Sequence, residues 1–474
     1  MPQLQPYAHT YKPETCANPI SPNVFCADPT SVEYEGRLYV FGTNDHQQYA
    51  AVGDEGKNTY EHIRSLVIFS TNDMRNWEYH GIIDVARIAP WIINAWAPSV
   101  ISRVEDDGLT HFYLYFSNNG CGVGVLTATH PLGPWGDPLG RPLIYQNMPG
   151  LENCPSPFDP GACIDENGTG WLSFGGGSDE NGVGVYSKVP KIVKLGKDLL
   201  SFDSPFVSIT APYFFEAGEL NVIDGRFFYS YSSDWQPRTA WDRADLPAPP
   251  MCSMGYMTTQ TPLDGESWSF RGGFFLNAGD SGMDWCNNHT HITEYCGRKY
   301  ILHHTMHIQE RMQTKGGFRC MCVDDLPYTA EGFPLAKATR QGVEQLRPLN
   351  PFVCHSGAEM CTCAQMGYEE ISQGKTAVKS LVSGAWTFLS AVDWNQGAQS
   401  ISVKVKGKGR IEIRADHMRA EPIVRLTVET EANAWATLTA ELPPQLTGIH
   451  DLYFVFSEAN ICLQAWQAKG KDDQ

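Results

Sequence analysis

The sequence predicts an all-β chain, a five-bladed β-propeller followed by a β-sandwich of the jelly-roll type. Three observations predict it. Almost no stretch sustains a 3.6-residue apolar period. Short runs rich in aromatic and β-branched residues recur instead, set between Gly, Asn, Asp and Pro turns. Near residue 350 the pattern changes to plain alternation of apolar and polar residues, the mark of a sheet with one wet face.

The aromatic runs come first. They are RLYVFGT (37–43), THFYLYFS (110–117), GTGWLSFGG (168–176), GRFFYSYSS (225–233) and RKYILHHT (298–305). Most are entered from a polar turn such as Glu35-Gly36, Asn167-Gly168, Asp224-Gly225 or Cys296-Gly297, which reads as a hairpin. They lie about 55 to 75 residues apart, the period of one four-stranded sheet per repeat. Five such units fill residues 15–348. A pair of sandwiches is the alternative, and it leaves the repeated Gly-aromatic hairpin without a cause.

The break falls at RPLNPFVCHSG (347–357). Beyond it, SISVKVKG, GRIEIRAD, IVRLTVET, ATLTAEL and HDLYFVFS read as strands of an antiparallel sandwich over 352–468. The polar tail AKGKDDQ is expected to fray.

Bulk properties narrow the function. The length of 474 residues exceeds what one core normally serves, which agrees with two domains. The net charge is −18, and no Lys/Arg cluster interrupts it, so phosphate repulsion excludes nucleic acid as a partner. No apolar run is long enough to span a bilayer, so no membrane partner is expected. A neutral polysaccharide is compatible with this charge. Thirteen Trp supply faces that stack on sugar rings, although Trp also fills sheet cores. The N-terminus has no basic or apolar leader. The expected location is extracellular with a leader preceding this numbering, and intracellular is the alternative. Fourteen Cys allow some disulfides, while their spacing does not fit structural zinc. Asn167-Gly-Thr and Asn288-His-Thr match the glycosylation pattern.

Hydrolysis of a glycosidic bond needs a proton donor at the leaving oxygen and a base or nucleophile at the anomeric carbon. Three carboxylates sit in suitable settings. Asp28 (NVFCADP) and Asp159 (PSPFDPG) each stand in an Asp-Pro step ahead of a hairpin. Glu216 (APYFFEAGE) follows Tyr-Phe-Phe, an apolar setting that raises a carboxyl pKa and suits a general acid. An Asp before Pro often only starts a turn. Three carboxylates at matching points of three successive blades favour chemistry over that local reading.

These motifs, in order, resemble glycoside hydrolase family 43. NPISPNVFCADP, NAWAPSV (94–100), GVGVLTATHPLGPWGDPLG (122–140), FDPGACIDENGTGWLSFGGG (158–177), APYFFEAGELN and NNHTHITEYCGRKYILHHT carry the resemblance over residues 15–345. The resemblance implies that Asp28 is the general base, Glu216 the general acid with Glu219 as its rival, and Asp159 the carboxylate that tunes the acid. It also implies inversion of configuration, with base and acid about 6.5–9.5 Å apart. Trp96 resembles an aromatic pocket wall, and Arg319 a guanidinium reaching a sugar hydroxyl or the base. Asn118, Asn288 and His289 are further sugar-binding candidates. The family often holds a calcium or sodium ion on the propeller axis through a late His. His304 is the matching position here, and His303 and His307 are its alternatives.

The second domain resembles carbohydrate-binding module family 6 through NQGAQSISVKVKGKGRIEIRAD (395–416) and GIHDLYFVFSEANICLQAW (448–466). That resemblance implies a sugar clamp of Trp435 with Tyr368. The chain departs from the pattern at Gly357-Ala358-Glu359, where only Glu359 is kept, and at Gln464 in place of an Asp. Both positions build the module's calcium site, so a structural role for the domain is the alternative.

The resulting expectation is an enzyme that releases terminal α-L-arabinofuranosyl residues from arabinoxylan or arabinan of plant cell walls. The alternative is a β-D-xylosidase, or a bifunctional enzyme, acting on xylo-oligosaccharides. A non-catalytic carbohydrate-binding propeller would lack at least one of the three carboxylates, and all three are present. A propeller built only to hold protein partners would need no buried acids.

Overall fold

The computed structural model describes residues 7–177, 185–431 and 434–471. The chain is all-β, with three short α-helices among the described residues, Asp45–Val52, Val85–Ile88 and His307–Met312. It divides into two compact units. One comprises Phe25–Val67 and Ile82–Thr339, the other Met1–Val24, Ile68–Gly81 and Arg340–Gln474. The sequence suggested a single boundary between residues 348 and 352. In the structure two segments before that point group with the C-terminal unit.

In the larger unit all five aromatic runs are strands, and each is the second strand of an antiparallel sheet. The hairpins are Ala27–Tyr34 with Arg37–Thr43, Trp96–Val104 with Thr110–Ser117, and Gly161–Ile164 with Gly170–Phe174. Phe214–Ile223 with Arg226–Ser233 and His291–Tyr295 with Arg298–Thr305 complete the set. Later strands extend the sheets outward, for example Gly122–Ala128, Lys191–Lys194, Met254–Thr259 and Cys320–Asp325.

Turn chemistry sets the register. Glu35-Gly36, Asp224-Gly225 and Cys296-Gly297 all have positive φ at both residues, the mirror-image turn whose twist matches that of the strands. At Asn167-Gly168 only the glycine is left-handed, and the Asp165 carboxylate accepts the N–H groups of Asn167 and Thr169.

The first strands of the five sheets pack side by side. Ala27–Tyr34 lies against Trp96–Val104, which lies against Gly161–Ile164, which lies against Phe214–Ile223, and His291–Tyr295 returns to Ala27–Tyr34. Side chains stitch these strands together. Thr30 Oγ1 accepts from Val100 N at 3.1 Å, Ser99 Oγ accepts from Ala162 N at 2.9 Å, and His291 pairs with Glu219. The approach is close enough to demand glycine at 161, where a Cβ would stand 2.5 Å from Glu219 Cα.

The smaller unit contains two antiparallel sheets. One runs Met366–Ser372, Lys375–Ser380, Cys462–Gly470, Ala398–Lys406, Ala436–Glu441. The other runs Thr362–Ala364, Trp386–Asp393, Ile449–Phe456, Lys408–Ala415, Val424–Glu429. Alternation drives them: Val424, Leu426 and Val428 are buried while Arg425, Thr427 and Glu429 face out. Ile401, Val403, Ile411, Ile413, Trp394 and Trp466 share the core. The tail does not fray where expected. Ala468 and Gly470 pair with Ile401 and Ala398, because the strand continues the sheet. Residues 472–474 of that tail lie outside the described residues.

All fourteen cysteines are free thiols, which corrects the expectation of disulfides. The two close groups alternate along single strands, Cys320/Cys322 in Cys320–Asp325 and Cys361/Cys363 around Thr362–Ala364; the Cys320 thiol donates to the Thr305 carbonyl, Cys322 to the Cys320 carbonyl and Cys361 to the Cys16 carbonyl.

Candidate active site

The first strands of four sheets open on the same irregularity. Asp28, Ala97, Asp159 and Ala217 have φ of 51°, 36°, 52° and 57°. The pairing slips between Ala27 and Thr30, between Trp96 and Ser99, and between Glu216 and Glu219. A left-handed non-glycine residue costs on the order of 1 kcal/mol or more, so its recurrence marks an imposed geometry. The bulge re-aims the side chains at the start of each strand.

This corrects one expectation. The three carboxylates do not occupy matching points of successive sheets. Asp28 and Asp159 share the left-handed position at the first strands of the first and third sheets, and the second sheet has Ala97 there. Glu216 stands one residue earlier than its own sheet's bulge residue, Ala217. The offset keeps Glu216 and Asp159 together, since Asp159 Oδ2 accepts the Ala217 N–H at 3.0 Å.

Asp28, Asp159 and Glu216 line one pocket of about 220 Å³, walled by Tyr60, Trp96, Phe158, Asn287, His289 and Arg319. Asp28 is tightly held. Its Oδ1 accepts from Arg319 at 2.8 Å and its Oδ2 from the Thr43 hydroxyl at 2.7 Å. Burial alone would raise its pKa. The Arg319 guanidinium overcomes that and holds the carboxyl well below the usual carboxylate range. Arg319 is itself fixed by Asp45, through Nε at 2.9 Å and NH2 at 2.9 Å, and lies over the Tyr60 ring at 5.0 Å. Of the two partners expected for Arg319, a sugar hydroxyl or Asp28, its contacts include Asp28.

Glu216 is in the opposite state. Burial pushes its pKa up to about 7; the Asn287 amide, 3.4 Å from Oε1, opposes the rise and the charge of Asp28 adds to it. Asp159 is raised well above the ordinary value by burial, then by the charges of Glu216 and Asp28. Burial pushes His289 down to about 4, so it is neutral beside Asp28.

Several expected residues are placed elsewhere. Glu219 does not line the pocket; it is buried between first strands and paired with His291. Asn118 accepts the N–H groups of Ile93 and Asn94 and so shapes the turn ahead of Trp96. Asn288 donates to the Cys252 carbonyl at 2.7 Å, and the pocket asparagine is its neighbour Asn287. Asn288 is also buried, which closes it to glycosylation.

His304 does not fit the expected ion. Its Nε2 faces the Asn287 carbonyl at 2.7 Å and must donate there, while Nδ1 accepts the Asp28 N–H at 3.2 Å. No lone pair remains for a cation. His303 contacts Asp324 at 2.9 Å through Nε2, and His307 is buried at the start of the helix His307–Met312. Among the described residues no three His, Cys, Asp or Glu converge on a cation position.

The expected clamp of Tyr368 and Trp435 does not form. Val378, Leu463 and Val405 stand between Tyr368 and Ala436 in one register row, so four strand spacings, about 19 Å, separate them. Tyr368 bonds Asn23 and packs on Tyr79, and Trp435 lies under Lys406.

Tyr60, Phe158, Asn287 and Asp45 were not singled out in the sequence. Only Asn287 carried a signal, its place beside Asn288 in the NNHTH motif.

One carboxyl kept ionised and another kept protonated near neutrality, across a pocket with aromatic walls, is the equipment of a glycosidase. Residues 16–334 match the family Glycosyl hydrolases family 43, and the chain belongs to that family. It is 30% identical to the arabinoxylan arabinofuranohydrolase of Bacillus subtilis (strain 168) over 93% of this chain and 89% of that one. It is 29% identical to the arabinoxylan arabinofuranohydrolase of Paenibacillus polymyxa over 95% and 74%. The crystal structure of a glycoside hydrolase family 43 arabinoxylan arabinofuranohydrolase from Bacillus subtilis in complex with cellotetraose superposes with a TM-score of 0.90. That match has 28% identity and covers 98% of this chain and 99% of that one.

Proposed function

We propose that this chain is an inverting α-L-arabinofuranosidase that removes terminal arabinofuranosyl branches from arabinoxylan. The observation that carries the reading is the opposed state of Asp28 and Glu216 in one pocket. Asp28, ionised, takes a proton from water as that water attacks the anomeric carbon. Glu216, protonated, gives its proton to the oxygen that leaves with the main chain. Asp159 fixes the backbone after the acid by accepting the Ala217 N–H. Arabinofuranose is preferred over xylose as the released sugar because both near-full-length relatives are named for arabinoxylan arabinofuranohydrolysis. The five sheets of the larger unit are read as blades of a propeller, and the smaller unit as a jelly-roll module related to carbohydrate-binding module family 6.

Release of p-nitrophenol from α-L-arabinofuranoside and β-D-xylopyranoside at equal concentration tests the substrate. The arabinoside is expected to be faster by at least about tenfold; equal rates would favour the bifunctional reading. Proton NMR of the first-formed sugar is expected to give the inverted anomer.

The pH profile follows from the site. The rate kcat/KM needs Glu216 protonated and Asp28 ionised. It should therefore fall as pH rises through about 7, and should persist at pH below the ordinary carboxylate range. Burial and the charges around it raise Asp159 as well, so it is no fixed negative neighbour of Glu216 and Asp159→Asn should leave the alkaline limb in place; a limb moved to lower pH would mean that Asp159 does carry charge beside the acid. An unmoved limb with lowered rate would mean that Asp159 acts only by holding the backbone.

A further inference from the structure

Asp45 does not line the pocket, yet both oxygens of Asp28 depend on the short segment that carries it. The strand Arg37–Thr43 ends at Thr43, and the helix Asp45–Val52 begins two residues on. Thr43 donates its hydroxyl to Asp28 Oδ2 at 2.7 Å. Asp45 reaches Oδ1 at one remove. It holds the Arg319 guanidinium, whose NH1 donates to Asp28 Oδ1 at 2.8 Å.

Four donors fill the Asp45 carboxylate, and three of them belong to Arg319. Oδ2 accepts the Arg319 backbone N–H at 3.1 Å, Arg319 Nε at 2.9 Å and Asn58 Nδ2 at 2.7 Å. Oδ1 accepts Arg319 NH2 at 2.9 Å. Both partners are also tied to the residues that lead into the strand of Asp28. The Cys26 N–H donates to the Arg319 carbonyl at 2.9 Å, and the His46 N–H to the Phe25 carbonyl at 2.8 Å. Asp45 is fully buried, out of reach of a sugar in the pocket, so it acts only through Arg319.

This clamp decides how the guanidinium meets Asp28. A guanidinium and a carboxylate pair best edge to edge, through two parallel bonds. Arg319 gives its Nε–NH2 edge to Asp45 in that way and offers Asp28 a single bond from NH1. Without Asp45 the guanidinium is released to turn and pair edge to edge with Asp28. Both oxygens of Asp28 would then face the cation, and the carboxylate would be a poorer acceptor for the proton of water.

We propose that Asp45 is a positioning residue for the hydrolysis: by taking one edge of Arg319 it limits the guanidinium to one bond with the base, which orients Asp28 and leaves it able to take a proton. The proposal rests on the reading of Asp28 as the base and adds what keeps that base usable.

The test is Asp45→Asn in the full-length enzyme. Asp28 still pairs the guanidinium, so no buried cation is stranded. On p-nitrophenyl α-L-arabinofuranoside and on arabinoxylo-oligosaccharides kcat is expected to fall about 10–100-fold, by the same factor on both, with KM within about threefold of wild type. The unfolding enthalpy per mole, measured by scanning calorimetry, counts folded protein and should match wild type. Asn58→Ala is the control for a merely structural role. It removes the other donor to Asp45 and leaves the Arg319 clamp, so kcat should stay within about twofold. If Asp45→Asn folds poorly, Asp45→Glu keeps the charge and displaces the clamp by one methylene; kcat should then fall about tenfold with KM kept. Wild-type kcat in the folded variant overturns the proposal. So does a loss that Asn58→Ala reproduces, or one that is steeper for the poorer leaving group. If Asp28→Asn is as active as wild type, it is the underlying reading of the base that fails.

Discussion

Glu216→Gln is expected to lower kcat on arabinoxylo-oligosaccharides by about 10²–10⁴-fold, the range removed with a general acid. The amide is isosteric and can keep the contact with Asn287, so folding and KM should change little. What is lost is the proton. The effect should therefore scale with how badly the leaving group needs one. A sugar alkoxide cannot leave unprotonated, whereas p-nitrophenolate can, so the aryl arabinoside should lose no more than about tenfold. The alkaline limb near pH 7 should also disappear, because the group that titrates there is gone. If natural substrate is still cut within tenfold of wild type and the limb remains, Glu216 is not the acid. Glu219 is a poor substitute, since it is buried between strands and already paired with His291.

The contrast between these two glutamates marks how far the sequence could be read. The hairpins were legible because their turns state their own geometry: Glu35-Gly36, Asp224-Gly225 and Cys296-Gly297 need left-handed residues, and the runs after them alternate. The alternation of the later strands was legible for the same local reason. Asp28, Asp159 and Glu216 could also be picked out, because each stands beside Pro or aromatic residues, and the three line one pocket.

Their arrangement was not within reach. A one-residue bulge separates the Asp28 position from the Glu216 position, and nothing in a string of residues announces which residue takes the positive φ. The same one-residue ambiguity assigned Asn288 to the pocket where Asn287 stands. Asp45 was invisible for a different reason. It opens a short helix, capped by Asn44, and meets Arg319 only through the fold. The partners of His304 were invisible because a histidine at a strand end says nothing of them. Here both ring nitrogens are committed to backbone groups of the site. The Tyr368–Trp435 clamp failed at strand order, since both residues are on one sheet but at opposite edges.

Asp28→Asn should be as damaging as the loss of the acid, with a different signature. On the proposed reading Asp28 activates water, and water is the same nucleophile for every substrate. The fall, again about 10²–10⁴-fold, should be similar for the aryl arabinoside and for arabinoxylo-oligosaccharides. Folding should survive. The asparagine carbonyl can still accept from Arg319, its amide can donate to the Thr43 hydroxyl, and Asp45 keeps the guanidinium paired, so no charge is stranded in the interior. The neighbours should register the missing charge. Asp28 raises the Glu216 pKa while Arg319 lowers it, so neutralising Asp28 leaves Arg319 unopposed and moves the residual alkaline limb to lower pH. A variant that loses activity only on poor leaving groups would instead place Asp28 on the acid side. Measured together, the two substitutions separate the roles by leaving-group dependence alone: steep for Glu216→Gln, flat for Asp28→Asn.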